Sequence, residues 1–278
     1  MNPRNDLGAR IEQAFDGPCA RDEAIGLFNE LKKGLNDGRI RAAEKIEGRW
    51  IAHPWVKKGI LLGFRYGRVQ DMSVAGGHPF FDKDTFPLKT LGNVRQIRLV
   101  PGGSSIRDGC YIGSHVVCMP PMYINTGAYV DDETMVDSHV LVGSCAQIGK
   151  RVHLSAGTQI GGVLEPVGSL PVIIEDDVLV GGNCGIYEGT VVGEKAVIGA
   201  GTVLTGSTPV YDLVRNTVYA KSGDGPIVIP PQAVVIPGTR PLTRGKGKEL
   251  GLSVYSPIVV KYRDSKTDGS IRFEDLLR

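Results

Sequence analysis

The sequence predicts a left-handed parallel β-helix of six-residue repeats, on three observations. First, an apolar residue recurs at every sixth position. It does so at Ile106, Ile112, Cys118, Ile124, Val130, Val136, Val142, Ile148, Leu154 and Ile160, then in a new frame at Ile174, Val180, Ile186, Val192, Ile198, Leu204 and Val210. Second, the residue four places on is small or β-branched, as at Ala128, Thr134, Val140, Ala146, Thr158, Val178, Cys184, Thr190 and Ala196. Third, Gly, Asp or Glu often follows the apolar residue directly, as at Asp131, Asp137, Gly143, Glu175, Gly181 and Gly193. Each hexad then makes one short strand and a corner, and three hexads close a triangular coil whose apolar face is buried only by stacking. An ordinary strand alternates with period two between turns of variable length and would not hold a six-residue phase.

Three segments follow in chain order: an N-terminal α/β domain over 1–103, the coil over 104–238 and a small cap over 239–278. In the first, Asp6–Phe15 and Arg21–Leu35 have helical apolar spacing, and Asn36-Asp37-Gly38 stops the second helix. Ile40–Ile51 and Val56–Phe64 read as a mixture of helix and strand, and 80–100 as an irregular connector. Seventeen hexads give between five and six coils. From Ile160 to Ile174 the phase slips by two residues in the Gly/Pro-rich stretch 161–171, which reads as a loop protruding from one corner, a common place for binding in solenoids. Residues 215–224 read as a polar break. Two further hexads follow at Ile229 and Val235, then a basic loop at Arg240–Lys248, a strand at Ser256–Tyr262 and a short helix at Phe273–Leu277. An open coil end needs a polar cap, for which the N-terminal helices and the tail are candidates.

Composition narrows the function. The 278 residues carry a net charge of +2 and no basic block, which excludes nucleic acid as a partner. The five cysteines lack paired spacing. Cys110, Cys118 and Cys184 fall on inward positions, whereas Cys145 falls on a fourth hexad position and is expected to face outward. The opening Met-Asn-Pro-Arg-Asn-Asp has no apolar signal core, so cytoplasm is the expected compartment. The uncharged run 109–130 is long enough to cross a membrane, but its hexad phase, glycines and prolines assign it to the coil.

Several strings are far more specific than the hexad: Arg41-Ala-Ala-Glu-Lys45, the run Trp55–Arg65, Asn125–Asp131, Thr134-Met-Val-Asp137, Val142-Gly-Ser-Cys-Ala-Gln-Ile-Gly-Lys150 and Ile160-Gly-Gly-Val-Leu-Glu-Pro166. With the tail strings Tyr255–Tyr262 and Glu274–Arg278 they resemble the tetrahydrodipicolinate N-succinyltransferases of lysine biosynthesis over nearly the whole chain. The resemblance implies a cytoplasmic homotrimer that moves a succinyl group from succinyl-CoA to the amine of L-2-amino-6-oxopimelate, with no metal and no membrane. It places catalytic carboxylates at Asp137, which also binds substrate, and at Glu188, and a substrate-binding arginine at Arg98.

The chemistry agrees. Acyl transfer to an amine needs a proton acceptor and donors for the tetrahedral oxyanion, which glycine-rich corners supply. No nucleophilic Ser or Cys is needed, because the thioester is already activated. By residue type and location alone, Ala200 and Gly201 would let pantetheine approach the backbone, and Lys221 with the 240–248 loop would meet the phosphates of coenzyme A. Counting the 161–171 loop as one lengthened hexad, Val136 and Ile186 stand eight hexads apart. That is not a multiple of three, so the two carboxylates lie on different faces and would meet only between subunits.

Some positions depart from the family pattern. His139 stands where the family has Trp, Gly181-Gly-Asn-Cys-Gly185 replaces Gly-Ala-Arg-Ser-Glu, Pro209 and Leu213 replace arginines, and Pro101-Gly-Gly-Ser replaces Pro-Pro-Ala. These changes keep open an alternative: a divergent paralogue that uses acetyl-CoA on a related amino dicarboxylate, as in the tabtoxin-biosynthesis acyltransferase. A non-catalytic hexapeptide scaffold is a further alternative. A zinc enzyme would need His115, His139 and His153 to converge, and their hexad positions do not show that spacing.

Overall fold

The computed structural model describes residues 3–73, 77, 79–92, 95–221, 223 and 225–263. Its body is a parallel β-helix with three ladders of two-residue strands. Face 1 stacks the strands at 98–99, 117–118, 135–136, 153–154, 179–180 and 197–198 and ends on 233–236. Face 2 stacks 105–106, 123–124, 141–142, 159–160, 185–186 and 203–204, and face 3 stacks 111–112, 129–130, 147–148, 173–174, 191–192 and 228–229. In each strand the second residue points inward, because strand side chains alternate. Sixteen of the seventeen hexad residues occupy such positions, each under 5% exposed, and the small residues four places on fill the gaps between them.

Four expectations change. The coil begins earlier than the expected boundary at 104, with a strand at Arg98–Leu99, while its last strand, Ala233–Ile236, holds the hexad expected at Val235. Val210 is buried but does not continue the coil: the chain leaves after Leu204 and returns at Val228. Within that excursion the supposed polar break contains a strand, Thr217–Tyr219, paired with Val210–Asp212. Ile160 and Ile174 are consecutive inward residues on faces 2 and 3, so the 161–171 loop fills the whole interval. Val136 and Ile186 therefore stand seven steps apart, not eight, and still lie on different faces.

The core tolerates little loss of volume. Ile148, fully buried in the middle of face 3, touches inward residues of its own coil and of those above and below. Ile148→Ala is expected to lower unfolding stability by about 2–5 kcal/mol, read as a shifted urea midpoint, because neighbouring coils cannot collapse into the void.

The N-terminal unit is three helices and a hairpin: α1 (Pro3–Asp16), α2 (Arg21–Asn36), β1 (Ala43–Ile46) with β2 (Arg49–Ala52), and α3 (Pro54–Tyr66). The ambiguous 40–64 stretch thus resolves into a hairpin followed by a helix that Pro54 starts. Phe28, Leu31, Ile60 and Leu62 form its centre. Gly63 is required where α3 meets α2, since a Cβ there would lie 2.9 Å from the rings of both Phe28 and Phe86.

This unit lies along the side of the coil rather than closing an end. Its helices cover the corners at Gly109, Gly127 and Cys145, and its hairpin covers face 3. Cys145 points away from the coil, as expected, and is fully buried among the helices. Arg41 lies 3.7 Å from the Tyr129 ring centroid and donates to Gln147 at 2.9 Å, while Lys45 and Trp50 both donate to Glu175, at 2.7 and 2.8 Å.

The tail closes the far end. Ile258–Tyr262 pairs antiparallel with the last coil strand, Ala233–Ile236, and parallel with Tyr211–Asp212. The basic loop holds a hairpin, Thr239–Pro241 with Ser253–Tyr255, around the short α4 (Gly245–Glu249). The helix expected at Phe273–Leu277 lies outside the described residues.

Candidate active site

The three edges of the prism differ chemically. The edge from face 3 to face 1 is charged: Arg151 binds Asp177 through two bonds of 2.7 and 2.9 Å, and Lys150 binds Asp132 at 3.2 Å. The edge from face 1 to face 2 carries Asp137 and, on its upper coils, small residues: Ala156, Gly157, Gly181, Gly182, Gly199, Ala200 and Gly201. The edge from face 2 to face 3 carries both excursions, 161–171 and 205–227, with Glu188 between them.

Between those excursions lies a cleft of about 550 Å³, lined among others by Gly161, Glu165, Ser169, Tyr187, Glu188, Gly206 and Lys221. It brings together Glu188 and Lys221, two of the residues expected at the site. The lengthened loop is fixed from behind: the Lys57 ammonium, fully buried on α3, donates to the Ser169 carbonyl, and burial pushes its pKa down. Leu170 packs against the hairpin residues through Ile173 and Val191.

Glu188 departs from the regular corner. Elsewhere the left-handed residue is the third after the inward one, as at His115, Glu133, His139, Arg151, Asp177, Asn183 and Lys195. At this corner Gly189 fills that role at φ +72°, and Glu188 before it is left-handed too, at φ +51°. A non-glycine residue held there carries strain, and such strain concentrates at functional sites. Its exposed carboxylate accepts the Gly206 N–H at 2.5 Å, one coil further on.

Asp137 sits in an ordinary corner. Its Oδ1 accepts the Ser138 N–H at 2.7 Å, as Asp131 accepts that of Asp132 at 2.9 Å. On the same edge, Ala200 and Gly201 are exposed, and a Cβ on Gly201 would meet nothing within 4 Å. Arg98 lies at the start of face 1, outward and exposed, one strand below Val117 and two below Met135. One chain therefore holds two groups: Arg98, Asp137, Ala200 and Gly201 on one side, Glu188 and Lys221 in the cleft. Face 2 separates Asp137 from Glu188, and the two lie about two coils apart along the axis, roughly 10 Å at the usual strand spacing.

Of the off-pattern residues, His139 and Asn183 sit on the Asp137 edge, and Pro209 and Leu213 in the second excursion, Leu213 exposed. His115, His139 and His153 lie on different edges or faces. Among the described residues no three His, Cys, Asp or Glu side chains cluster as metal ligands, and no helix is long and apolar enough to cross a membrane.

Two contributors were missed from sequence. Nothing in the sequence ties Lys57 to residue 169. Tyr187 left a signal: an aromatic follows the inward residue where Gly, Asp or Glu is usual.

Comparison with known proteins gives matching profiles for the N-terminal unit and for part of the coil. A profile described as the N-terminal domain of tetrahydrodipicolinate N-succinyltransferase matches residues 6–66, and one for the hexapeptide repeat of succinyl-transferase matches 171–206. Proteins named 2,3,4,5-tetrahydropyridine-2,6-dicarboxylate N-succinyltransferase are similar at full length. The one from Dechloromonas aromatica is 43% identical over 98% of both chains. That from Acinetobacter baylyi is 41% identical over 99% of both, and that from Caulobacter vibrioides 40% over 97% of this chain and 94% of its own.

Proposed function

Because the chain belongs to the tetrahydrodipicolinate N-succinyltransferase family, we propose that it transfers the succinyl group of succinyl-CoA to the amine of L-2-amino-6-oxopimelate, on the path to lysine. The observation that carries this is the 43% identity over 98% of both chains. The neutral amine attacks the thioester carbonyl, the N–C bond forms, and the amine proton passes to a carboxylate. The tetrahedral intermediate then expels the thiolate of coenzyme A, and corner N–H groups stabilise its oxyanion.

The residues divide the work. Asp137 holds the acceptor amine and takes its proton, and Arg98 binds an acceptor carboxylate through a charge-assisted pair. Glu188 acts from the cleft. Coenzyme A runs along the small-residue edge past Ala200 and Gly201, with Lys221 and the 240–248 loop toward its phosphates.

The two groups complete one site when the Asp137 edge of one chain faces the Glu188 edge of the next, so the working form is a homotrimer with three shared sites. Face 1 supports such burial, for Met135, Leu179 and Val197 point outward from it, half-exposed. If the coil axes run along the threefold axis, the offset of roughly 10 Å between Asp137 and Glu188 persists. They then act at separate points on a long substrate, not as a proton-sharing pair. The compartment consistent with this metabolism is the cytoplasm.

A thiol-release assay with succinyl-CoA and 2-aminopimelate tests the activity, and absence of coenzyme A release would refute it. Light scattering tests the assembly: a trimer is expected, and a monomer with full activity would refute the shared site.

A further inference from the structure

The cleft contains one side chain whose placement follows from two glycines. Gly185 holds the outward position on its face 2 strand, where neighbouring strands carry Tyr123, Leu141, Gln159 and Val203. A Cβ on Gly185 would lie 2.5 Å from Tyr187 Cε2 and 2.9 Å from its Cζ and Oη. A Cβ on Gly161, one coil below, would lie 2.9 Å from Tyr187 Cδ1. The phenol ring therefore lies flat across two bare backbone positions, with its hydroxyl end over Gly185. The Tyr187 backbone is fixed as well: its N–H donates to Leu204 O at 2.9 Å, and its carbonyl accepts Thr190 Oγ1 at 2.7 Å.

The ring lines the cleft beside Glu188. Among the described residues no hydrogen bond to Tyr187 Oη is present, although the side chain is half-buried. Among the described residues the charged side chains on the cleft wall are Glu165, Glu188 and Lys221, so there a bound carboxylate finds two repelling groups and one attracting one. A fixed neutral O–H donor at this point supplies what such an anion lacks, and a donor to a charged group gives the larger class of hydrogen-bond contribution.

We propose that Tyr187 is a specificity-determining residue whose hydroxyl donates to a substrate carboxylate in the cleft. This rests on the acyl-transfer reading of the same site. The carboxylate has two sources, the distal end of the succinyl group or the acceptor dicarboxylate.

The test compares kcat/KM of wild type, Tyr187→Phe and Gly185→Ala in four pairings: succinyl-CoA or acetyl-CoA with 2-aminopimelate or with 2-aminoheptanoate, which lacks the distal carboxylate. Tyr187→Phe is expected to lose about 10- to 150-fold with substrates carrying the recognised carboxylate, and little without it. A loss confined to succinyl-CoA assigns the donor carboxylate, and one confined to 2-aminopimelate the acceptor. Gly185→Ala, which keeps the hydroxyl but displaces the ring, should lose selectivity in the same direction. An equal loss in all four pairings, or none, overturns the proposal. If wild type releases no coenzyme A with any pair, the activity reading fails. Calorimetric binding of succinyl-CoA and of 2-aminopimelate to wild type and Tyr187→Phe then decides separately whether the hydroxyl recognises a carboxylate: weaker binding of either by the variant upholds it, and equal binding of both overturns it.

Discussion

Glu188→Gln is expected to lower kcat by on the order of 100-fold or more, the usual consequence of losing a positioned catalytic carboxylate. The substitution isolates charge. The amide oxygen still accepts the Gly206 N–H that now binds the carboxylate at 2.5 Å, so the corner keeps its shape. Asp137→Asn makes a parallel test, because the amide oxygen still accepts the Ser138 N–H. Both variants should bind coenzyme A as wild type does, measured by calorimetry, since neither side chain is assigned to the cofactor. Near-normal turnover in both would remove these carboxylates from the chemistry.

Asp212→Asn is expected to weaken the C-terminal closure by about 1.5–3 kcal/mol, the range for hydrogen bonds to a charged group. The carboxylate is 2% exposed and accepts Tyr262 Oη at 2.6 Å, Tyr219 Oη at 2.9 Å and the N–H groups of Val214 and Arg215, each at 2.9 Å. Burial alone would raise its pKa, but these four donors outweigh burial and hold it below the ordinary carboxylate value. The sign follows from that depression. The folded state binds the proton less well than the unfolded one, so the stabilisation is full above the unfolded carboxylate pKa of about 3.9 and is lost as pH falls through the lower folded value. Thermal melts of wild type and variant should therefore differ at pH 7 and converge in strong acid. A constant difference across that range would show that the charge is not what the closure uses.

The coil was legible in sequence because its rule is local and repeated: one inward apolar residue per hexad, checked many times over. The reading failed where the chain stops obeying the repeat. Val210 keeps the phase by spacing but belongs to an added antiparallel pair with Thr217–Tyr219, held in place by the distant strand Ile258–Tyr262, which pairs with Tyr211 and Asp212. Cys145 was read from its hexad position, which gives its direction correctly, but its burial depends on helices more than seventy residues earlier in the chain. The eight-hexad count assumed that a loop occupies one repeat, and nothing in Gly161–Pro171 states how much of a coil a protrusion replaces. For the site, the family resemblance named Asp137 and Glu188 as candidates. The sequence could not show that Glu188 is strained, that Lys57 reaches Ser169, or that two glycines seat the Tyr187 ring.

The hairpin over face 3 changes how such a molecule comes apart. In a bare solenoid each coil touches only its neighbours, so melting can start at either end and travel inward. Here Arg41, Ala43, Lys45 and Trp50 grip Tyr129, Gln147, Ile173, Glu175 and Val191, which belong to four successive coils. One short rod is thus fastened across the stack like a splint. A middle coil cannot open without releasing the rod, and releasing the rod loosens all four coils together. Fraying from the tips gives way to a single cooperative unit, and the coils that carry Asp137 and Glu188 lie within or beside the splinted stretch.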